Sequence, residues 1–134
     1  MYNKMIKRRI VSIIAALVFL IAISGCSSQE GSVYMNIGPE KAKEMMENLE
    51  SFVLLDVRSE EEFSEGHIPG AIVIPHEEIS ERAENEIPEK DVPVFVYCRS
   101  GRRSKIAAEE LISLGYSEIY EFGGIGDWPY EIEK

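Results

Sequence analysis

One short segment holds the residue types suited to nucleophilic chemistry. Cys98 ends an apolar run and is followed by Arg99, Ser100, Gly101, Arg102, Arg103 and Ser104, within which a long helix pattern begins. A cysteine that faces the N-terminus of a helix has its thiolate stabilised by the helix dipole and by unpartnered backbone N–H groups. The glycine allows the sharp turn that points such N–H groups inward. The segment therefore predicts a reactive thiolate in an anion-binding loop.

Basic residues are concentrated in the same segment. Arg99, Arg102, Arg103 and Lys105 are four of the ten basic residues after position 25, and no acidic residue lies among them. Cations at the start of a helix oppose its dipole, and a broken local rule often marks a functional site. The alternative is a buried structural thiol beside solvated arginines. The combination of cysteine, glycine and helix start argues against that alternative, so we predict a positive pocket for a small anion.

The hydrophobic pattern indicates the elements that would position this loop. Apolar runs at Phe52–Val57 and Val92–Tyr97 are typical of strands buried on both faces of a parallel sheet. The strongest helix pattern runs from Arg102 to Leu114, with Gly115 at its end. Further predicted elements are strands at Val33–Ile37, Ala71–Ile74 and Ile119–Phe122, helices from Pro39 and over Glu77–Glu86, a short acidic turn or helix at Ser59–Phe63, and a capping segment at Trp128–Ile132. This alternation predicts a layered α/β domain with a mostly parallel sheet, in which ligands bind at the carboxyl ends of the strands.

The composition limits the class of protein and its partners. The chain has 134 residues, which allows one domain and leaves little for a second. Lys4, Lys7, Arg8 and Arg9 hold all the charge before position 26, whereas the remainder carries 10 basic and 24 acidic residues, a balance of −14. This negative balance argues against nucleic acid as a partner. Two cysteines are too few for a disulfide scaffold.

The N-terminal residues have the layout of an export signal. The basic stretch Met1–Arg9 precedes 14 uncharged residues, Ile10–Ile23, which as a helix would reach about 21 Å, short of a hydrocarbon core of about 30 Å. Positions 23–26, Ile-Ser-Gly-Cys, resemble the bacterial lipobox, whose cysteine, here Cys26, is lipidated and becomes the mature N-terminus. We therefore expect a lipoprotein signal peptide at 1–25, a flexible tether at 26–32 and a domain at 33–134, lipid-anchored on the extracytoplasmic side of the cell membrane. An uncleaved anchor is the alternative and places the domain on the same side.

Four ordered motifs make residues 33–134 resemble a single-domain rhodanese. They are Asp56-Val57-Arg58 after the second strand; Glu61 and Phe63 with the run Gly66–Ala71 (G-H-I-P-G-A); the loop Cys98–Ser104; and Gly123-Gly124 with Trp128. The resemblance implies a three-layer α/β/α domain whose five-stranded, mostly parallel sheet lies between helices. It also implies the chemistry of a sulfurtransferase.

The resemblance further implies roles for the loop residues. Cys98 would attack the outer sulfur of thiosulfate, release sulfite and hold a persulfide that cyanide or another thiol discharges. Backbone N–H groups of residues 99–104 would hold the persulfide, Arg102 would bind the sulfonate, and Ser104 would hydrogen-bond the sulfur. The implied partners are a small anionic sulfur donor and a thiol, cyanide or protein sulfur acceptor. No cofactor is expected, and no metal, because a lipidated Cys26 leaves no metal-ligand spacing.

Residues outside the loop have more modest predicted roles. Asp56 and Arg58 are predicted to form a structural ion pair beneath the loop. His67 lies in a Gly/Pro-rich loop and is predicted to stabilise a turn, whereas His76 is predicted to lie at the surface. Trp128 is interpreted as a packing residue.

Two rival functions fit part of the pattern. Phosphatases and arsenate reductases share this fold but need Cys-x5-Arg, whereas the sixth residue after Cys98 is Ser104 and Arg103 comes one place early. The shorter loop fits a sulfur atom better than a phosphate. The other rival is a lipid-tethered persulfide carrier with little turnover of its own, which the intact cysteine and arginines do not distinguish from the enzyme.

Overall fold

The computed structural model describes residues 31–134. The predicted signal peptide at 1–25, the predicted lipidation site Cys26 and most of the tether at 26–32 lie outside the described residues. Within residues 31–134, no helix has the length and apolar character needed to cross a membrane.

A parallel five-stranded sheet forms the centre of the described domain. Its strands are β1 (Val33–Asn36), β2 (Val53–Asp56), β3 (Ile72–Val73), β4 (Val94–Cys98) and β5 (Glu118–Gly124), in the spatial order β1-β5-β4-β2-β3. β4 lies between β2 and β5, and all of its residues are buried. The predicted α/β class with a five-stranded parallel sheet is confirmed.

Helices cover both faces of the sheet. They are α1 (Pro39–Asn48), α2 (Glu60–Glu65), α3 (Ile79–Glu86) and α4 (Arg102–Ser113), with 3-10 turns at His76–Glu78 and Ile125–Asp127. Alternate residues of a strand point to opposite faces. Val96 and Cys98 therefore join the core formed with α3 and α4, whereas Phe95 and Tyr97 join the core formed with α1 and Trp128. The domain is thus a three-layer α/β/α structure with the end of β4 at its centre.

The elements that flank the loop differ slightly from their predicted bounds. β4 includes Cys98 as its last residue, so the thiol lies on the strand itself and not after it. α4 ends at Ser113 instead of Leu114, and Gly115 follows with φ 93°, in the left-handed region that ends many helices.

The segment around Pro75 departs further from the prediction. The predicted strand Ala71–Ile74 pairs only at Ile72–Val73, and the predicted helix Glu77–Glu86 is a 3-10 turn followed by α3. Backbone contact with β2 continues past the assigned strand, because the Ile74 N–H donates to the Asp56 carbonyl and the His76 N–H donates to the Val57 carbonyl. Pro75 lies between them, holds Ile74 in an extended backbone and precedes the first residue of the 3-10 turn.

Candidate active site

Cys98 lies at the carboxyl end of the central strand and is 1% exposed. Three residues separate it from Arg102, the first residue of α4. Its partner across the sheet is Gly124, the last residue of β5. Strand end, loop and helix start therefore place the sulfur where parallel α/β sheets bind their ligands.

Hydrogen bonds from the loop converge on the Cys98 sulfur. The Gly101 N–H donates to Sγ over 3.0 Å, and the Ser104 Oγ lies 3.5 Å from Sγ. Gly101 adopts φ 95°, a left-handed conformation that residues with a Cβ rarely enter. Burial raises the pKa of the Cys98 thiol, but hydrogen bonds from Ser104, Ser100 and Gly101 outweigh burial and bring the pKa below its ordinary value. The loop therefore favours the thiolate.

Gly124 gives the loop backbone a place to pack. A Cβ at Gly124 would lie 2.7 Å from the Arg99 carbonyl carbon and 2.9 Å from the Ser100 Cα. Such distances are too short for any side chain, so the loop packs directly on the glycine backbone. The sequence motif contained this glycine without indicating what it does.

One of the basic residues of the loop, Arg103, is paired with an acid that the sequence did not predict to lie there. Arg103 donates from its two Nη atoms to the Glu62 carboxylate, at 2.7 and 2.9 Å. Glu62 lies in α2, where it also accepts from the Ser59 N–H in a capping box. The predicted positive pocket is therefore partly neutralised, because the fold brings an acid from a distant helix to the loop. Glu62 was not among the predicted site residues, although the sequence contains the Ser-x-x-Glu spacing of a capping box.

The Glu62–Arg103 contact should make the domain sensitive to acid. The hydrogen bond from Arg103 is the main cause that lowers the pKa of Glu62 from 4.5 to about 2. A lowered carboxyl pKa contributes stability that is present above pH 4.5 and is lost as the pH falls toward about 2. We expect Glu62→Gln to lack this contribution, so its free energy of unfolding in urea should fall less steeply with acid than that of the wild type.

Glu61→Gln is the matched control for this prediction, because it removes an adjacent charge of α2 and leaves Glu62 to pair with Arg103. It should keep the steep dependence of the wild type. Identical pH dependence in wild type and Glu62→Gln, followed by circular dichroism, would contradict the prediction.

The remaining basic residues occupy different places around the loop. Arg99, Arg102 and Lys105 are exposed. Arg99 and Ser100 line an open cleft of about 770 Å³ together with Arg58. The other residues lining the cleft are Glu62, Glu65, Gly66, Ile125, Gly126, Trp128, Tyr130 and Ile132. Arg102 opens α4 outside that lining, and sulfonate binding by Arg102 stays a prediction.

A buried ion pair lies at the end of the neighbouring strand β2. Arg58 Nη2 lies 2.6 Å from Asp56 Oδ2, with Asp56 fully buried and Arg58 6% exposed. The same nitrogen donates to the Gly66 carbonyl over 2.7 Å, which ties the end of β2 to the following loop. That loop is also fixed to β4, because the Ile68 N–H donates to the Tyr97 hydroxyl over 3.1 Å. Asp56 thus orients Arg58, which is one of the residues that line the cleft.

The two histidines and the tryptophan lie apart from the sulfur. His67 stacks on Phe63 with 3.8 Å between ring centroids, and its Nδ1 lies 3.0 Å from the Phe63 carbonyl oxygen, as a turn-stabilising residue would. His76 contacts Glu77, and its side chain is 25% exposed. Trp128 is 8% exposed in the core on the α1 side.

Glu121, a fully buried acid in β5, is a second site residue that was not predicted. Its carboxylate accepts from the Ser104 hydroxyl at 2.6 Å and from the Gly123 N–H at 2.9 Å, and it contacts the Asn36 amide. The sequence does contain a signal for this residue, because Glu121 interrupts the apolar run Ile119–Phe122. A charged side chain is buried only where other groups hydrogen-bond to it, so an acid in a buried strand indicates such partners.

Comparisons with known proteins identify similar sequences and structures. A family model described as Rhodanese-like domain matches residues 38–130. A Bacillus subtilis protein named "Putative sulfur carrier protein" is 37% identical over 108 residues, which are 80% of this chain and 57% of that protein. An Escherichia coli thiosulfate sulfurtransferase is 41% identical over 73 residues, 54% of this chain and 70% of that protein. A solved structure described as a rhodanese with anions from E. coli is 37% identical, with a TM-score of 0.59 over 63% of this chain and 99% of the other.

Proposed function

Because this chain belongs to the rhodanese-like family, we propose that it is a sulfurtransferase that carries sulfane sulfur as a persulfide on Cys98. The observation that carries the proposal is the 3.0 Å hydrogen bond from the Gly101 N–H to the Cys98 sulfur, in a loop that lowers the pKa of that thiol. A thiol with a lowered pKa is present as the nucleophilic thiolate at neutral pH more than an ordinary cysteine is. The E. coli relative named a thiosulfate sulfurtransferase supports thiosulfate as the donor.

In the proposed first half-reaction, the Cys98 thiolate attacks the outer sulfur of thiosulfate. The S–S bond of the donor breaks, its electron pair leaves with sulfite, and the Cys98 persulfide forms. Backbone N–H groups of residues 99–104 stabilise the negative outer sulfur, in the way that the Gly101 N–H approaches Sγ. Arg99 at the cleft and Arg102 at the start of α4 attract the sulfonate.

In the second half-reaction, a thiophilic acceptor removes the outer sulfur. Cyanide or a thiolate attacks that sulfur, the S–S bond of the persulfide breaks, and Cys98 recovers its thiolate. The product is thiocyanate or a persulfide of the acceptor. Because the cleft beside Arg99 and Ser100 is open, it admits a small anion or the thiol of a partner protein.

A second candidate function is sulfur carriage with little turnover. The B. subtilis relative named as a sulfur carrier supports it, although this chain spans 57% of that protein's length. A carrier would form the same persulfide on Cys98 but would discharge it only to a partner protein.

A steady-state assay of the full chain tests the proposed function. We expect thiocyanate to form from thiosulfate and cyanide, and mercaptopyruvate and persulfide donors tested in parallel would define the donor class. A persulfide that forms but resists cyanide and is discharged only by a protein thiol would favour the carrier. Hydrolysis of an aryl phosphate without sulfur transfer would contradict both and favour a phosphatase.

We also propose that the chain is lipid-anchored through Cys26 on the outer side of the cytoplasmic membrane. The basic n-region, the apolar run and the lipobox-like residues 23–26 support this. In cells fed an alkyne-tagged fatty acid, the wild type should be labelled and Cys26→Ser should not. Cys98→Ser is the matched control and should keep the label, whereas equal labelling of wild type and Cys26→Ser would contradict the anchor.

A further inference from the structure

Glu121 is a buried carboxylate that the proposed reaction does not use. It lies in β5 behind the active loop and is 0% exposed. The Ser104 hydroxyl, at 2.6 Å, and the Gly123 N–H, at 2.9 Å, both reach its Oε1, and the Asn36 amide reaches its Oε2. An ionised carboxylate only accepts hydrogen bonds, and each of these three neighbours can donate one. The structure therefore holds an acid one hydroxyl away from the nucleophilic sulfur.

The Ser104 hydroxyl has one proton and two groups that compete for it. In the thiol state, the Cys98 S–H donates to Ser104 Oγ over 3.5 Å, and Ser104 donates to Glu121 over 2.6 Å. Once Cys98 is a thiolate, its sulfur also requires a donor, and the hydroxyl must turn away from Glu121 to supply one. When the thiolate forms, the Glu121 carboxylate therefore loses the charge-assisted hydrogen bond that Ser104 donates to it.

We propose that Glu121 is a positioning residue that limits thiolate formation at Cys98 by holding the hydroxyl proton of Ser104. The proposal rests on the proposed function only in taking Cys98 as the nucleophile. Neither Glu121 nor Ser104 loses a proton: the thiol proton passes to solvent, and the hydroxyl rotates from Oε1 to the sulfur. In the persulfide, the negative charge lies on the outer sulfur, so the hydroxyl can return to Glu121. Glu121 thereby favours the loaded enzyme over the free thiolate.

The other charged groups near the site do not compete with the Cys98 sulfur for the hydroxyl proton of Ser104. Arg103 of α4, paired with Glu62, lies close enough to Cys98 for their charges to interact, and Tyr34 of β1 lies close enough to Glu121. The Asp56–Arg58 ion pair lies at the end of the neighbouring strand β2, where each charge is balanced by the other. Burial, and then the Glu121 charge, raise the pKa of the Tyr34 phenol. Within residues 31–134, the other acceptors near the Ser104 hydroxyl are the neutral carbonyls of Gly101, at 3.0 Å, and Gly123, at 3.5 Å.

The test is the pH dependence of Cys98 alkylation by iodoacetamide. It uses the full chain with Cys26 replaced by serine, so that Cys98 is its only thiol. Glu121→Gln keeps the side-chain volume and the oxygen that accepts from Ser104 and Gly123, but it removes the negative charge that strengthens the hydrogen bond from Ser104. We therefore expect it to lower the midpoint by about one pH unit. Glu118→Gln removes the same charge from the same strand and should leave the midpoint unchanged. An unchanged or higher midpoint in Glu121→Gln overturns the proposal.

Ser104→Ala tests the route through the hydroxyl. Without that hydroxyl, Glu121→Gln should shift the alkylation midpoint by less than about half as much as it does with Ser104 present. An equal shift in both backgrounds would show that Glu121 acts through space and would overturn the role of Ser104.

A spectroscopic measurement on the native side chains makes the proposal independent of how the variants fold. The carbon-13 resonance of the Glu121 carboxyl group should move with the same midpoint as Cys98 alkylation, and a resonance that stays constant overturns the proposal. These measurements report proton affinity and not sulfur transfer. An absent transfer activity with the expected midpoint shifts would therefore refute the proposed function alone.

Discussion

Replacing Cys98 with serine should reduce sulfur transfer from thiosulfate to cyanide by at least about 10³-fold. A serine hydroxyl is not ionised near neutral pH and cannot carry a persulfide, so both half-reactions lose their nucleophile. The fold should remain, because the Gly101 N–H and the Ser104 hydroxyl can hydrogen-bond an oxygen where they now approach sulfur. The rate of thiocyanate formation measures the effect.

Cys26→Ser is the matched control for this loss. It removes the other cysteine of the chain and should leave the rate within about twofold of the wild type, because the reaction does not use that thiol. Circular dichroism of Cys98→Ser verifies the fold. A rate in Cys98→Ser above about a tenth of the wild-type rate would contradict the assignment of Cys98 as the sulfur-carrying residue.

Gly124→Ala should have the second-largest effect, a fall in activity of about 10²-fold. The added Cβ would lie 2.7 Å from the Arg99 carbonyl carbon and 2.9 Å from the Ser100 Cα, backbone atoms that cannot rotate away. The loop must therefore move, and with it the Gly101 N–H that bonds the Cys98 sulfur. Overpacking of this kind lowers the free energy of unfolding by about 1–3 kcal/mol, so thermal unfolding should show a smaller effect than the activity assay.

Gly126→Ala is the control for the added methyl group. Its Cβ would lie 3.9 Å from the Arg99 carbonyl oxygen, an ordinary contact, and Gly126 does not have a left-handed backbone. We expect wild-type activity and stability for Gly126→Ala, and a higher midpoint of Cys98 alkylation for Gly124→Ala. Full activity in Gly124→Ala with an unchanged alkylation midpoint would show that the position of the loop does not control the thiol.

The elements of the fold could be predicted from the sequence because their causes are local. The apolar runs that become β2 and β4 are buried on both faces of the sheet, and Gly115 ends α4 at a left-handed position. The least accurate bounds lie around Pro75, where the proline restricts Ile74 to an extended backbone and a 3-10 turn begins at His76. Hydrophobic spacing alone does not include that restriction.

The charge of the site could not be predicted in the same way, because its partners are distant in sequence. Glu62 lies 41 residues from Arg103, and Glu121 lies 17 residues from Ser104. The loop itself contains no acid, so a local count of charges predicts a pocket more positive than the folded one. Only the packing of α2 and β5 against the loop shows that one arginine is paired and that a carboxylate lies behind the nucleophile.

The reactivity of Cys98 thus depends on opposing contacts. Gly101 and the neighbouring loop donors favour the thiolate, whereas burial opposes it. The Ser104 hydroxyl lies between the sulfur and Glu121, at 3.5 and 2.6 Å, and can serve either group. In this arrangement Gly101 supplies a left-handed turn with its N–H aimed inward, and Ser104 supplies a single proton that either group can bind.

The intact mass of the chain after incubation with thiosulfate tests the persulfide on Cys98 most directly. The wild type should gain the mass of one sulfur atom and lose it when cyanide is added, and Cys98→Ser should gain nothing. An unchanged wild-type mass, or a gain that Cys98→Ser shares, would contradict a persulfide on Cys98.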